Sequence, residues 1–344
     1  MKPYTKRQRY AKMIQYIFGR KKKLPPPSVA PRSVIILGLE RFGDSILTTP
    51  LLRTLRKALP DLELYVVTPG SRSYSFYQYD TNITRLFHAK KELLSCLWFF
   101  LFHPADILFN PKDNLSFSFV LLSRILRSRH SVGIAFPFHA DHYNAVLEVA
   151  SSEHIIKKNI ALLKYLSIEY GEQDLLPSIP AMPIDESISA FARTLQGQRV
   201  IAINISAGSP VRERSKELWL EVIKHLDYRC IIFAMPQRYD DKRWLEQHDR
   251  VISSPNTSSF SESEHLLQDC LALISPDTAM IHLASAVQLP TVGLFLTHHD
   301  AERFAPFGMP HKILFGKQSL DDIDAASIVE AVKNVLSSSD NDTI

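Results

Sequence analysis

The sequence predicts an α/β protein built from two doubly wound, Rossmann-like domains, and three observations carry that prediction. Short apolar runs rich in β-branched residues alternate with helical patterns along most of the chain. A Pro-dotted stretch, Leu175–Pro183, interrupts the alternation near the middle, and the alternation then restarts. The length of 344 residues fits two domains at roughly 100–200 residues each. Alternation of this kind implies parallel strands joined by right-handed crossovers. Two such domains facing one another leave a central cleft at the carboxyl ends of their strands, where open parallel sheets bind ligands.

The elements follow in order. Residues 1–32 form a basic extension ending in the linker sequence Lys-Lys-Lys-Leu-Pro-Pro-Pro (21–27). The first domain spans 33–180. It opens with Ser33–Leu37, a continuous apolar run that marks a strand buried on both faces. After a turn at Gly38–Gly43 a helical pattern runs to Leu59. A helix begun at Asp44 must absorb Pro50 with a kink, and Thr49-Pro50 is an equally good start signal. Strand Leu62–Thr68 closes at Pro69-Gly70. A helix near 91–102, strand Asp106–Asn110, helix 115–127, strand Ser131–Ile134 and a helix at about 153–168 complete the domain. The second domain spans 184–338. Its strands are Val200–Ile205, Cys230–Met235, Val251–Ser253, Cys270–Ser275 and Thr291–Phe295. Helices are expected at 185–195, 215–226, 239–247, 261–269, 278–287 and 324–337, followed by a polar tail, 339–344, expected to be disordered.

Charge is distributed unevenly. Residues 1–32 hold ten Lys and Arg and no acid; taking these from the forty basic residues leaves thirty against thirty-six acidic ones. A mildly acidic body with a basic arm argues against nucleic acid as a partner. Such an arm, through residues 1–23, suits an anionic membrane surface, and a truncation starting at Ser28 is expected to stay folded. Cys96, Cys230 and Cys270 lie far apart with no CxxC, so neither a disulfide framework nor a zinc site is expected and a cytoplasmic location fits. His139-Ala-Asp141-His142 and His298-His299-Asp300 have metal-like composition, but they read as loop side chains turned to solvent, and no metal is expected. The aromatic helix at Trp98-Phe99-Phe100 is taken as core, with a membrane-seating role as the alternative.

Three strand–helix turns carry candidate chemistry. In the first, Gly38-Leu-Glu40-Arg41-Phe-Gly43-Asp44-Ser45, Glu40 replaces the second glycine of a dinucleotide fingerprint and Asp44 replaces the lysine of a P-loop. What remains is a carboxylate at a helix start, either a catalytic group or a helix cap. In the second, Pro276-Asp277-Thr278-Ala279 begins a helix whose free N–H groups suit a diphosphate, with His282 one turn in. In the third, Asn204–Lys216, small residues including Ser206 permit close backbone approach. There Arg212, Arg214 and Lys216 supply cations for a leaving diphosphate.

Together these pieces resemble glycosyltransferase family 9, the lipopolysaccharide heptosyltransferases. Arg41-Phe-Gly-Asp-Ser-Ile-Leu-Thr-Thr-Pro-Leu-Leu-Arg53 resembles the family's opening motif. Ile274-Ser-Pro-Asp-Thr-Ala-Met-Ile-His-Leu-Ala-Ser-Ala286, followed by Leu289–Phe295, resembles its donor motif, and His154–Leu163 its mid-chain segment. Ala279 stands where the donor motif has Gly, and Asn-Ile-Ser-Ala-Gly where the family has Asn-Pro-Gly-Ala. The resemblance implies a two-domain GT-B fold with an acceptor-binding first half and a sugar-nucleotide-binding second half. It implies inverting, metal-independent and cofactor-free transfer of heptose from an ADP-activated donor. The acceptor would be the lipid A-core oligosaccharide at the cytoplasmic face of the inner membrane. On that carry-over Asp44 is the general base, and Arg41 and Arg72 are acceptor contacts. Asp277, Thr278, Ala279, His282, Ser206, Arg212, Arg214 and Lys216 bind the donor. The same fold with another nucleotide-sugar donor, or one that binds without transfer, stays open.

Overall fold

The computed structural model describes residues 5–341. The chain divides after Leu175 into two compact units.

In the first unit, helix α1 (Lys6–Phe18) starts at a capping box in which Thr5 and Gln8 exchange side-chain and backbone bonds. Then come β1 (Ser33–Leu37), α2 (Phe42–Ile46), α3 (Thr49–Ala58), β2 (Glu63–Thr68), α4 (Ser71–Tyr77), β3 (Arg85–His88) and α5 (Leu93–Phe102). β4 (Ala105–Asn110), α6 (Phe117–Ile125), β5 (Ser128–Ile134), β6 (Ala145–Leu147), α7 (Ile155–Asn159) and α8 (Ala161–Tyr165) follow. All six strands are parallel, in the order β3-β2-β1-β4-β5-β6. The order reverses direction between β1 and β4, which makes that gap the switch point of the sheet. β1 is buried at every position, as its unbroken apolar run requires. Right-handed crossovers put α5 and α6 on the same face, where Cys96, Phe100, Phe119 and Leu122 pack on Ile35, Leu37, Tyr65 and Leu108.

The second unit contains α9 (Glu186–Leu195), β7 (Val200–Asn204), α10 (Lys216–His225), β8 (Arg229–Phe233), α11 (Tyr239–Leu245) and α12 (Phe260–Leu267). It ends with β9 (Ala272–Pro276), α13 (Ala279–Ala286), β10 (Thr291–Phe295), α14 (His298–Phe304), β11 (His311–Phe315) and α15 (Ala325–Asn341). Its parallel order is β11-β10-β9-β7-β8, with the switch point between β7 and β9. Trp219, Val222 and Ile223 of α10 and Ile328 and Val332 of α15 cover the same core of β7, β9 and β10 residues.

Several expectations are corrected. The helix expected over Asp44–Leu59 is two helices, α2 and α3, with Thr48 at the position before the second and Pro50 in its first turn, where a missing N–H leaves no bond unmade. The helix expected at 153–168 likewise splits into α7 and α8. Val251 makes a single bridge to Cys230 instead of a strand. The polar tail expected from 339 begins as helix, since α15 runs to Asn341; residues 342–344 lie outside the described residues.

The basic arm is not a separate extension. Ala11 and Ile14 of α1, three residues apart and so on one helical face, are buried against Val120 of α6 and Leu115 just before it. Beyond the helix, the backbone N–H groups of Lys21 and Leu24 donate to the carbonyls of Asp141 and Asn144, and Lys23 Nζ reaches the carbonyls of Ala140 and Tyr143. Arg124 of α6 closes the corner by donating to the carbonyls of Phe18 and Gly19. Lys2 and Tyr4 of the arm lie outside the described residues.

His139 and His142 are also corrected: both are buried, and His139 Nδ1 lies 2.7 Å from the Ile134 carbonyl oxygen. Among the described residues no three His, Cys, Asp or Glu side chains gather in a way that could hold a metal ion. Burial, with Arg124, His139 and Lys12 nearby, pushes the His142 imidazole down to about 4. An unfolded chain titrates this group near 6.5. As pH falls from there to about 4, the unfolded state gains a proton that the folded state refuses, so stability is lost across that window. We expect His142→Asn to flatten the acid limb of stability against pH, by about 3 kcal/mol between neutral pH and pH 4. Denaturant unfolding at stepped pH measures it, and parallel curves for the two proteins would assign the acid sensitivity elsewhere.

Candidate functional site

Each sheet brings one set of polar side chains to the carboxyl end of its strands at the switch point. In the first unit, β1 ends at Leu37 and the chain turns through Gly38, where an added Cβ would meet Tyr77 and Val66 at 3.1 Å. That tightness delivers Glu40 and Arg41 to the sheet edge, with Arg41 as the cap residue of α2 and Asp44 half-buried in its first turn. Across the switch point, the loop after β4 sends Lys112 to Glu40 at 3.1 Å. Arg72 is exposed in the first turn of α4, after β2, and Gly70 of that loop approaches Glu40 so closely that a Cβ there would lie 3.3 Å from its carbonyl oxygen. Asp44, Arg41 and Arg72 therefore share one edge of one sheet.

The mid-chain segment holds this edge together. Asn159 Nδ2 donates to the Leu47 carbonyl at 2.7 Å, in the break between α2 and α3. Thr48 Oγ1 donates to the Asp44 carbonyl at 2.8 Å. Lys158, buried, reaches Asp113 at 2.6 Å and the Ser151 carbonyl at 2.8 Å, tying down the loop after β4. Asn159 falls within the His154–Leu163 segment that carries part of the resemblance, whereas Lys158 has no role in the sequence reading; its signal is a Lys-Lys-Asn run inside an otherwise apolar helical stretch.

In the second unit, Asn204 at the end of β7 is the hub. Its Nδ2 donates to the Ser206 carbonyl at 3.1 Å and to Ser275 Oγ and Thr278 Oγ1 at 3.0 Å each, spanning the switch point between β7 and β9. Its Oδ1 accepts from the Ser206 backbone N–H, and Ser206 Oγ accepts from the Met235 N–H, so Ser206 braces the loop. Thr278 caps α13 by accepting from the Met280 N–H, which puts Ala279 at the first helical position. Arg212, in a short 3-10 turn, donates through Nη1 to Asp277 Oδ2 at 2.5 Å and to its carbonyl at 2.8 Å. The two loops read separately in the sequence thus meet in one structure, and Asn204 and Ser275 are added to it.

Two of the expected donor cations do not join. Arg214 is 1% exposed, and its Nη1 donates to the carbonyls of Leu320 and Ile323 at 2.6 Å each, in the segment that leads into α15, with its guanidinium over the Trp219 ring. Sequence spacing could not separate a buried carbonyl staple from a surface cation. Lys216 starts α10 and turns toward α11, with its Nζ 3.9 Å from Asp241 and 5.0 Å from the Trp244 ring centroid. His282 is 4% exposed, one turn into α13, its ring 6.2 Å from that of Phe304.

Comparison with known proteins places these features. Residues 105–330 match the sequence profile of glycosyltransferase family 9 (heptosyltransferase), about two-thirds of the chain. A search of curated proteins finds no match. Among solved structures the chain is similar to a family 9 glycosyl transferase from Veillonella parvula, with 18% identity and a TM-score of 0.72, covering 89% of this chain and 98% of that one. It is similar to E. coli heptosyltransferase WaaC with ADP (15% identity, TM-score 0.67, 88% and 99% coverage). It is likewise similar to E. coli ADP-heptose lps heptosyltransferase II (17% identity, TM-score 0.67, 90% and 99% coverage). Two parallel, doubly wound units of this order, matched over nearly the full length of those structures, are the GT-B fold, and the chain belongs to glycosyltransferase family 9, the heptosyltransferase family.

Proposed function

We propose that this glycosyltransferase moves heptose from ADP-heptose onto the inner core of lipopolysaccharide. In this reading it works at the cytoplasmic face of the inner membrane, with inversion and with neither metal nor cofactor. The observation that carries the donor assignment is the junction at the second switch point. Asn204 aligns the start of α13, whose first N–H groups and dipole favour an anion. Arg212 is held over that start by Asp277 through Nη1 alone, and a guanidinium has five donors in all. The solved relative with ADP supports the choice of nucleotide. On the acceptor side, Arg41 and Arg72 would orient an anionic core sugar while Asp44 takes the proton of its attacking hydroxyl. The hydroxyl oxygen forms its bond to the anomeric carbon opposite the nucleotide, and the carbon–oxygen bond to the diphosphate breaks as ADP departs with the electron pair. Arg212 and the α13 amides stabilise the charge that develops there.

The test is donor binding measured by calorimetry across ADP-, UDP- and GDP-sugars. ADP-heptose should bind most tightly, and Arg212→Gln should weaken it by about 1–3 kcal/mol, the scale of a hydrogen bond to a charged group. A preference for a UDP- or GDP-sugar would move the enzyme to another donor, and unchanged affinity in the variant would remove Arg212 from the site. Substituting His282 is less informative, because its burial makes packing respond together with binding.

A further inference from the structure

The outer face of α5 is apolar and uncovered. Leu94, Trp98, Leu101 and Phe102 are 81%, 67%, 50% and 60% exposed. Their spacing of four, three and one residues puts them on one side of the helix, while Cys96 and Phe100 fill the core from the other. Trp98 and Phe102 touch edge to face at 4.9 Å, so the ridge is continuous. Soluble surfaces scatter such residues singly; a contiguous row marks an interaction site.

The surroundings say with what. Arg127 donates through Nη1 to the Leu101 carbonyl at 2.9 Å, anchoring a cation at the end of the ridge. One turn earlier, Arg124 bonds the carbonyl of Phe18, so the end of α1, with Tyr16, Ile17 and Phe18 exposed, meets the same last turn of α6. Arg20 and Arg129, in the segments leaving α1 and α6, stay exposed beyond their pairs with Asp141 at 3.3 Å and Asp106 at 3.2 Å, and Lys22, two residues after Arg20, is exposed as well. Helices α1, α5 and α6 contain no Asp or Glu. We infer that this face, the α5 ridge with the end of α1 and the cations around Arg127, docks on an anionic lipid surface, with the Trp98 and Phe102 rings entering the headgroup boundary. A second copy of the chain is a poorer fit, since a two-fold contact would set the same cations against one another. The inference deepens the reading of a lipid-linked acceptor and rests on it.

Vesicles test it without donor or acceptor. The full chain should sediment with phosphatidylglycerol-containing vesicles at low salt, far less with pure phosphatidylcholine or at high salt. Its Trp98 fluorescence should be quenched by brominated acyl chains; Trp219 is buried and Trp98→Phe supplies the blank. Trp98→Ser with Phe102→Ser should bind vesicles at least tenfold more weakly, while its melting curve and its turnover on a delipidated acceptor stay as in the parent. Because Trp98 and Phe102 lie toward the amino edge of their own sheet, opposite its switch point, lost vesicle binding with intact turnover separates this proposal from the glycosyltransferase reading. Unchanged vesicle binding in the folded double variant would overturn the assignment. So would a concentration-dependent dimer of the parent, seen by sedimentation velocity, that the double variant loses.

Discussion

Replacing Asp44 by Asn is expected to lower the turnover number by roughly 10²–10⁴-fold, the usual contribution of a general base, with donor affinity and folding nearly unchanged. The topology puts this residue at the carboxyl edge of the sheet. Asp61 and Asp80 precede β2 and β3, so both lie at the amino edge of the sheet, opposite the switch point; Asp80 is moreover occupied by the Asn82 N–H groups. On the carboxyl edge, Glu40 is committed to Lys112, Glu92 accepts from the His88 N–H, and Asp113 is held by Lys158. Asp44 follows β1 directly, and its helical turn is fixed through Thr48 and Asn159. Single-turnover transfer at saturating donor and acceptor is the measurement. Near-normal turnover in a folded Asp44→Asn protein would leave the carboxylate as a first-turn helix acid, favourable to the dipole and nothing more.

Deleting residues 1–27 is expected to destabilise the first unit by about 2–4 kcal/mol, the scale of uncovering two or three buried aliphatic side chains together with the groups they cover. Ile14 and Ala11 leave, Leu115 and Val120 are exposed to water, and the Asp141 and Asn144 carbonyls lose the Lys21 and Leu24 donors. Denaturant unfolding of the truncated chain against the full one measures the loss. A truncated chain as stable as the parent would make the α1 contact incidental.

What was legible in the sequence follows from burial. β1, β7 and β10 are covered on both faces, so their apolar runs are continuous and hard to mistake. β3 and β11 lie at sheet edges with exposed or half-exposed positions, and Arg85-Leu-Phe-His88 and His311–Phe315 carry no such run. α4 and α14 span seven residues each, too short to show a helical period. The arm misled because its charges dominate its composition, whereas its docking depends on two small apolar positions in one turn. His139 and His142 misled in the same way: a neutral imidazole fits a core, but composition cannot report the protonation state. Within the site, the turn motifs located Asp44, Asp277 and Thr278. Their supports act across the chain: Asn159 reaches a backbone carbonyl 112 positions away, Asn204 a hydroxyl 71 positions away, and Lys158 a carboxylate 45 positions away.

Those carbonyl-directed supports bear on how the chain can change over generations. Asn159 grips the oxygen of residue 47, Arg214 those of residues 320 and 323, and Arg127 that of residue 101. Each bond constrains the donor's side chain but only the position of its partner, because every amino acid offers the same carbonyl. Substitutions can therefore accumulate at one end of each tie without a matching change at the other. At each such partner position the backbone is held while the side chain is left free to change, so a tie of this kind imposes little pairwise covariation.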